Sequence, residues 1–129
     1  MKNINDELLE FNFLSLCESI EYPNENTVVF SPIQGFYDNR DKEIYKITII
    51  NNSLVITDNG ITYSNLDHIF EINEPDVIRN IIAILRQTKI KWVGKEFVCN
   101  LDCNEKLCPQ IIAYLQGINF IYAMKLFYV

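Results

Sequence analysis

The sequence has 129 residues, 49% hydrophobic and 22% charged, which is the composition of one soluble globular domain. Four Gly and four Pro are too few for a collagen-like or disordered chain. The net charge of −6 argues against nucleic-acid binding over the whole surface, because such binding depends on neutralising phosphates. Composition therefore predicts one folded domain but names no reaction.

Charge is concentrated in three segments. Residues 1–25 carry six acids and one Lys, residues 58–76 carry five acids and no Lys or Arg, and residues 79–95 carry five bases and no acid. Such segments are either solvated faces or interaction surfaces. The candidates for an interaction surface are Asp67, Glu71, Glu74, Arg79, Arg86, Lys89, Lys91 and Lys95.

Neither end of the sequence predicts targeting to a membrane. Acids follow Lys2 before any apolar run, which is unlike a secretory signal. No stretch approaches the roughly 18 consecutive apolar residues of a spanning helix. We therefore expect a cytoplasmic protein without membrane contact, in which the four Cys are reduced thiols.

The first half of the chain predicts one helix and then a β-meander. Apolar residues over 5–20 include Leu9, Phe13 and Leu16 at helical spacing. Strands are predicted at 27–30, 43–50 and 54–57, because β-branched and aromatic residues predominate there. Asn59-Gly60 predicts a type I′ turn, which needs two residues with positive φ, followed by a third short meander strand at 61–63. The meander thus spans about residues 27–63.

The second half predicts helices around one more strand. A short helix is expected over 63–70, and Pro75 and Asp76 suit the first turn of a helix over about 75–88. A strand bent at Gly94 is predicted over about 91–98, followed by a C-terminal helix over about 109–124. The resulting fold is a single α+β domain, an antiparallel meander of three to four strands packed against helices.

Cysteines and acids supply the enzymatic alternatives. Cys99, Cys103 and Cys108 lie within ten residues, but their spacing does not form the two C-x2-4-C pairs of a structural zinc site. A thiol nucleophile would need His68, the only His, at hydrogen-bond distance. The acids of a metal-dependent nuclease would be Asp38, Asp41, Glu43 and Asp58. Turn and loop roles explain these acids equally well, so we expect neither cofactor nor metal.

Basic residues and apolar residues supply two candidate surfaces. Trp92 lies among the bases of residues 79–95, as a base-stacking residue of a single-strand binder would, although a lone Trp is more often part of the core. The sequence contains neither a Walker-type nor a dinucleotide-binding glycine motif. The apolar C-terminal residues predict a protein interface, with a homodimer as one form. Its candidate residues are Phe120, Tyr122, Leu126, Phe127 and Tyr128.

The order of these motifs resembles an uncharacterised bacterial and phage family, domain of unknown function 1828. The resemblance covers about residues 28–124 and is strongest at the turn. The motif residues are Ser31-Pro32-Ile33, Asp38-Asn39-Arg40-Asp41, the strand over 44–50, and Ile56-Thr57-Asp58-Asn59-Gly60-Ile61-Thr62 through Leu66. Asn59 stands where the family usually has a second Asp, which speaks against a metal site at the turn. The resemblance implies a compact α+β domain of phages and mobile elements and implies no catalytic residues.

Together these observations predict a non-enzymatic binding protein. We expect it to block a bacterial protein or protein–nucleic-acid complex, with inhibition of a host defence system as the sharpest form. Its acidic segments would meet a basic groove, since complementary charge speeds association and selects partners. The alternatives are a direct nucleic-acid binder using residues 79–95, although bare nucleic acid is the less favoured partner, and a metal-dependent nuclease or thiol enzyme.

Overall fold

Six strands and three helices make up the described part of the chain. The computed structural model describes residues 17–32, 43–51 and 53–124. The elements are β1 (Cys17–Asn24), β2 (Thr27–Pro32), β3 (Tyr45–Ile50), β4 (Ser53–Thr57), α1 (Ile61–Asp67), α2 (Pro75–Leu85), β5 (Lys91–Val93), β6 (Glu96–Leu101) and α3 (Leu107–Tyr122). The strands form one antiparallel sheet in the order β1-β2-β3-β4-β6-β5. The single α+β domain is confirmed, with a larger sheet than three to four strands.

One face of the sheet carries the core. Side chains alternate along a strand, and cross-strand neighbours lie on the same face. Val28 pairs with Ile47, Ile47 with Ile56, and Ile56 with Cys99, and all four are buried. The helices α1 and α3 pack against β6, so this buried row lies between the sheet and the helices.

The predicted N-terminal helix is wrong over residues 17–20, which form the start of β1. Residues 5–16 lie outside the described residues. Ile20 pairs with Phe30 of β2 and, like Cys17, is partly buried against the core. The hairpin turns where the Asn26 N–H donates to Asn24 Oδ1 at 2.8 Å. Pairing with β2 therefore prevails over the helical spacing of the apolar residues.

The Asn59-Gly60 turn has the predicted geometry, but a helix follows it instead of the predicted strand. Both residues have positive φ, 57° and 84°, and the Ile61 N–H donates to the Asp58 carbonyl oxygen at 3.1 Å. The predicted strand at 61–63 is wrong, because α1 begins at Ile61. Strand β6 occupies the position beside β4 instead. The helix predicted over 63–70 thus begins two residues earlier and ends at Asp67.

The elements after the turn shift from their predicted bounds for local reasons. Helix α2 ends at Leu85 rather than at 88, and Thr88 Oγ1 donates to the Leu85 carbonyl oxygen at 2.9 Å. The predicted bent strand over 91–98 is two strands, because the chain reverses at Gly94. Helix α3 runs two residues earlier than predicted, over Leu107–Tyr122. Among the described residues, no helix is long and apolar enough to cross a membrane.

Replacing Gly94 with Ala lowers the free energy of unfolding by about 1 kcal/mol, because an L side chain is strained at positive φ. Gly94 has φ +63°, and a Cβ there would contact nothing within 4 Å, so backbone strain is the whole cost. Gly94→Asn costs less, because Asn tolerates the left-handed region. Urea unfolding of both variants checks this, and equal losses for Ala and Asn would contradict it.

Candidate binding groove

An open groove of about 570 Å³ lies between α3 and the chain that joins α2 to β5. Residues 86–90 form one wall, Cys99 and Asn100 of β6 lie at the base, and one side of α3 forms the other wall. The volume falls within the range of ligand-binding clefts. The groove is therefore the candidate site to test against the residues that the sequence indicated.

Gly117 brings the two walls together. A Cβ at this position would lie 2.5 Å from Ile90 Cδ1, closer than packed carbon atoms allow. Glycine in the middle of a helix costs roughly 1 kcal/mol relative to Ala, so its presence in α3 reflects this close approach. Gly117 is a functional position that the predicted site residues do not include, and its signal in the sequence is a glycine inside an apolar helix, which indicates close packing.

Arg86 and Lys89 supply the positive charge of the groove. Both side chains line it, both residues are exposed, and neither forms an ion pair with a described residue. Helix α2 ends with Arg86 as its C-cap, where a cation is favoured by the helix dipole. Part of the basic segment therefore borders a concave surface.

The other predicted basic residues lie elsewhere. Arg79 forms an ion pair with Asp76 on the exposed side of α2. Lys95 lies over the Tyr63 ring, with Nζ 5.5 Å from the ring centroid. Lys91 is exposed on β5, the edge strand of the sheet. The basic segment is therefore not one continuous surface, and only Arg86 and Lys89 of its five cations line the groove.

The wall formed by α3 contains both apolar and polar side chains. The Phe120 side chain is 60% exposed, and Ala113 and Gln116 lie on the same side of the helix. Gln110 also lines the groove, but its Nε2 donates to the carbonyl oxygens of Asp102 and Lys106, both at 2.9 Å. Gln110 therefore holds the loop before α3, and Phe120 and Gln116 remain for contact with a ligand.

Of the other four residues predicted for the apolar interface, one is corrected by the structure and three lie outside the described residues. Tyr122 is wrong as an interface residue, because it is only 1% exposed and its hydroxyl accepts a hydrogen bond from Asn65 Nδ2 at 3.0 Å. Leu126, Phe127 and Tyr128 lie outside the described residues. Phe120 is thus the member of the predicted apolar interface that the structure places on the surface, next to the basic wall.

The acidic candidates are separated from the groove by α2. Asp67, Glu71 and Glu74 are exposed and precede this helix, whereas Arg86 follows it. The eleven residues of α2, at a rise of 1.5 Å per residue, separate the acidic residues before the helix from Arg86 after it by roughly 16 Å. Asp58 does not belong to this acidic surface, because its carboxylate is buried. Helix α2 therefore has acids at its N-terminal end and a base at its C-terminal end, which is the arrangement that the helix dipole favours.

Trp92 belongs to an aromatic cluster rather than to a base-stacking surface. Its ring stacks on Phe97 with centroids 5.4 Å apart, and it is tilted against Tyr63 at 6.4 Å. The Tyr63 hydroxyl donates to Asn73 Oδ1 at 3.0 Å. Trp92 therefore fixes β5 against α1 and leaves Phe120 as the exposed aromatic ring of the groove.

The four cysteines are free thiols, and each is buried or half-buried. Burial raises the pKa of the Cys99 thiol, and the nearby ammonium groups of Lys89 and Lys91 offset this only in part. A nucleophilic Cys needs a lowered pKa, so this thiol is not activated. Cys108 is buried and Cys103 is half-buried. Within the described ranges, no three His, Cys, Asp or Glu side chains are grouped so that they could hold a metal ion.

The carboxylates of the nuclease alternative are buried or lie outside the described residues. Asp58 Oδ1 accepts hydrogen bonds from the Gly60 and Phe97 N–H groups at 3.0 and 3.1 Å. Glu43 is also buried, and the Tyr45 hydroxyl donates to Glu43 Oε2 at 3.4 Å. Asp38 and Asp41 lie outside the described residues. The arrangement of Asp58 is that of a structural carboxylate, since backbone amides occupy its oxygens.

The groove is thus the place where predicted residues from different segments meet. The sequence indicated Arg86 and Lys89 for their charge and Phe120 for its apolar ring, and the fold brings all three to one concavity. Comparison with protein families, with curated proteins and with solved structures finds no match to the chain.

Proposed function

We propose that this protein is a non-enzymatic binding protein and that the groove is its binding surface. The observation that carries the proposal is the composition of the groove walls: two cations without an ion-pair partner among the described residues face an exposed Phe120 ring. Arg and aromatic side chains dominate the energetics of protein interfaces. The target in this proposal is a bacterial protein or protein–nucleic-acid complex, and inhibition of a host defence system is its most specific form.

The groups that an enzyme would use are engaged in holding the fold. The Asp58 oxygens accept backbone N–H groups, and the pKa of the Cys99 thiol is raised rather than lowered. Neither group has the accessibility or activation of a catalytic acid, base or nucleophile. This supports binding without turnover, achieved by steric and electrostatic blocking.

A blocked groove tests the proposal. In Ala113→Trp, an indole enters the groove, because Ala113 is exposed and lines it. The protein is immobilised, exposed to nuclease-treated bacterial lysate, and its captured proteins are quantified by mass spectrometry. We expect a partner that the wild type retains and that Ala113→Trp retains about tenfold less, as expected for loss of a central interface contact.

The matched control is Asn119→Trp, which adds the same side chain to the exposed part of α3 outside the groove lining. Thermal unfolding of both variants shows whether the fold is kept. A capture pattern that Asn119→Trp and wild type share and Ala113→Trp lacks supports the proposal. Identical capture by all three proteins contradicts it.

Direct nucleic-acid binding is the second candidate, favoured by Arg86 and Lys89 beside an exposed ring. Aromatic and basic side chains in one groove are typical of single-strand binding. Labelled single- and double-stranded oligonucleotides, with fluorescence anisotropy at moderate salt, separate the candidates. Binding that is lost in Arg86→Ala plus Lys89→Ala favours this second function, and Arg79→Ala serves as the control because Arg79 pairs with Asp76 outside the groove.

A further inference from the structure

The groove combines three kinds of contact within one open volume. Arg86 and Lys89 present positive charge, Phe120 and Ala113 present apolar surface, and Gln87 and Gln116 present carboxamides. None of these polar side chains makes a hydrogen bond or ion pair with a described residue. The groove therefore matches a ligand that carries negative charge, an apolar group and backbone-like donors and acceptors close together.

We propose that the occupant of the groove is a short acidic segment of a partner protein, with a carboxylate on Arg86 and Lys89 and an apolar side chain against Phe120. This inference rests on the proposed function and names the chemistry of the partner. A guanidinium binds a carboxylate through two parallel hydrogen bonds. The carboxamides of Gln87 and Gln116 bond the peptide groups of the segment.

Charge favours a peptide over a nucleic-acid strand as the occupant. Among the described residues, two cations line the groove, whereas a protein held on a duplex by phosphate neutralisation can make about 6–10 phosphate contacts. The exposed acids Asp67, Glu71 and Glu74 lie beyond the other end of α2, and the whole chain has a net charge of −6. A polyanion that extends past the groove is repelled by this surface more strongly than a segment that carries one or two carboxylates and ends within the groove.

Selection from random peptides displayed on phage, followed by anisotropy with the labelled winning peptides, tests the inference. We expect the selected peptides to be enriched in Asp or Glu next to an apolar residue. Reversal of both cations, Arg86→Glu plus Lys89→Glu, is expected to weaken their binding at least about tenfold. The same peptides with Lys in place of their acids are expected to bind the reversed variant better than the wild type.

The control variant is Arg79→Glu plus Lys95→Glu, which changes the net charge equally but alters residues outside the groove. Retained peptide binding in this control supports the inference. The inference is overturned if the selection yields no peptides or yields neutral or basic ones. It is also overturned if acidic peptides are selected but still bind the Arg86→Glu plus Lys89→Glu variant. Tighter binding of a labelled oligonucleotide that the groove reversal abolishes also overturns it.

The two proposals fail separately. If Ala113→Trp abolishes capture of the lysate protein but the charge reversal of Arg86 and Lys89 does not, the groove is the binding surface and its occupant is not acidic. If acidic peptides bind as expected but no lysate protein depends on the groove, the recognition chemistry stands and the proposed cellular role fails.

Discussion

Replacing Asp58 with Ala lowers the free energy of unfolding by about 3–5 kcal/mol, because three backbone donors lose their acceptor. The Asp58 carboxylate accepts the N–H groups of Gly60 at 3.0 Å, Phe97 at 3.1 Å and Thr62 at 3.3 Å. It thereby joins the turn, the first turn of α1 and the start of β6. Each donor left unsatisfied in a buried site costs about 1–3 kcal/mol, and removal of a desolvated carboxyl returns part of this sum.

Asp58→Asn separates hydrogen bonding from charge. One amide oxygen remains to accept, so we expect a smaller loss of about 2 kcal/mol. Urea unfolding followed by the fluorescence of Trp92, the only Trp of the chain, measures both variants. Losses below about 1 kcal/mol for Asp58→Ala would contradict the assigned hydrogen bonds.

The same residue predicts a pH dependence with a defined sign. Burial raises the pKa of Asp58 above its ordinary value of 3.8, although its hydrogen bonds offset part of the effect. The folded state then keeps its proton to higher pH than the unfolded state, so ionisation of Asp58 costs stability. The stability advantage of wild type over Asp58→Asn therefore becomes smaller as the pH rises from about 3.8 through the raised pKa, and the remaining difference, which comes from hydrogen bonding, is constant above it. A difference that grows with pH would contradict this sign.

Phe97→Ala is expected to lower the free energy of unfolding by about 3–5 kcal/mol, the usual cost of a large buried aromatic side chain. The Phe97 ring is fully buried and stacks on Trp92, with an interplanar angle of 26°. The backbone of Phe97 still donates to Asp58 and still accepts from the Tyr114 hydroxyl at 2.6 Å. The loss therefore reports the ring alone.

Trp92 fluorescence gives a second readout of this substitution. Without the Phe97 ring, the indole loses its stacking partner, and we expect its emission to shift to the red in the folded state. Val93→Ala is the matched control on the same hairpin, because Val93 is 58% exposed and its truncation costs within about 0.5 kcal/mol. If Phe97→Ala leaves the Trp92 emission unchanged and lowers the free energy of unfolding no more than Val93→Ala does, the stacked Phe97–Trp92 pair does not stabilise the core.

Local sequence preferences were sufficient where neighbours along the chain settle the conformation. Asn59 and Gly60 adopt positive φ because Asn tolerates the left-handed region and Gly has no Cβ to clash there, so the type I′ turn was predictable without tertiary contacts. Pro75 begins α2 because its missing N–H is no loss in the first turn. The β-branched and aromatic residues over 43–50 and 54–57 predicted β3 and β4, because these residue types favour extended backbone.

Pairing between distant segments decided what local preference left open. The apolar residues Cys17 and Ile20 fit a helical face as well as a strand, and contact with β2 selects the strand. After Gly60 the chain could have formed a third hairpin strand, but β6 pairs with β4 in its place. Strand partners that are far apart in sequence are not encoded by any single window of residues.

Residues that are neighbours in the chain account for the α+β class, the main turn, the helices α2 and α3 and the uneven distribution of charge. The folded structure settles which of these charges can be used: it places Lys95 over Tyr63, buries Asp58, and brings Arg86 and Lys89 into the same groove as Phe120. The physical reason is that burial and surface shape depend on contacts between residues that are distant in the sequence, and these contacts form when the sheet and helices pack.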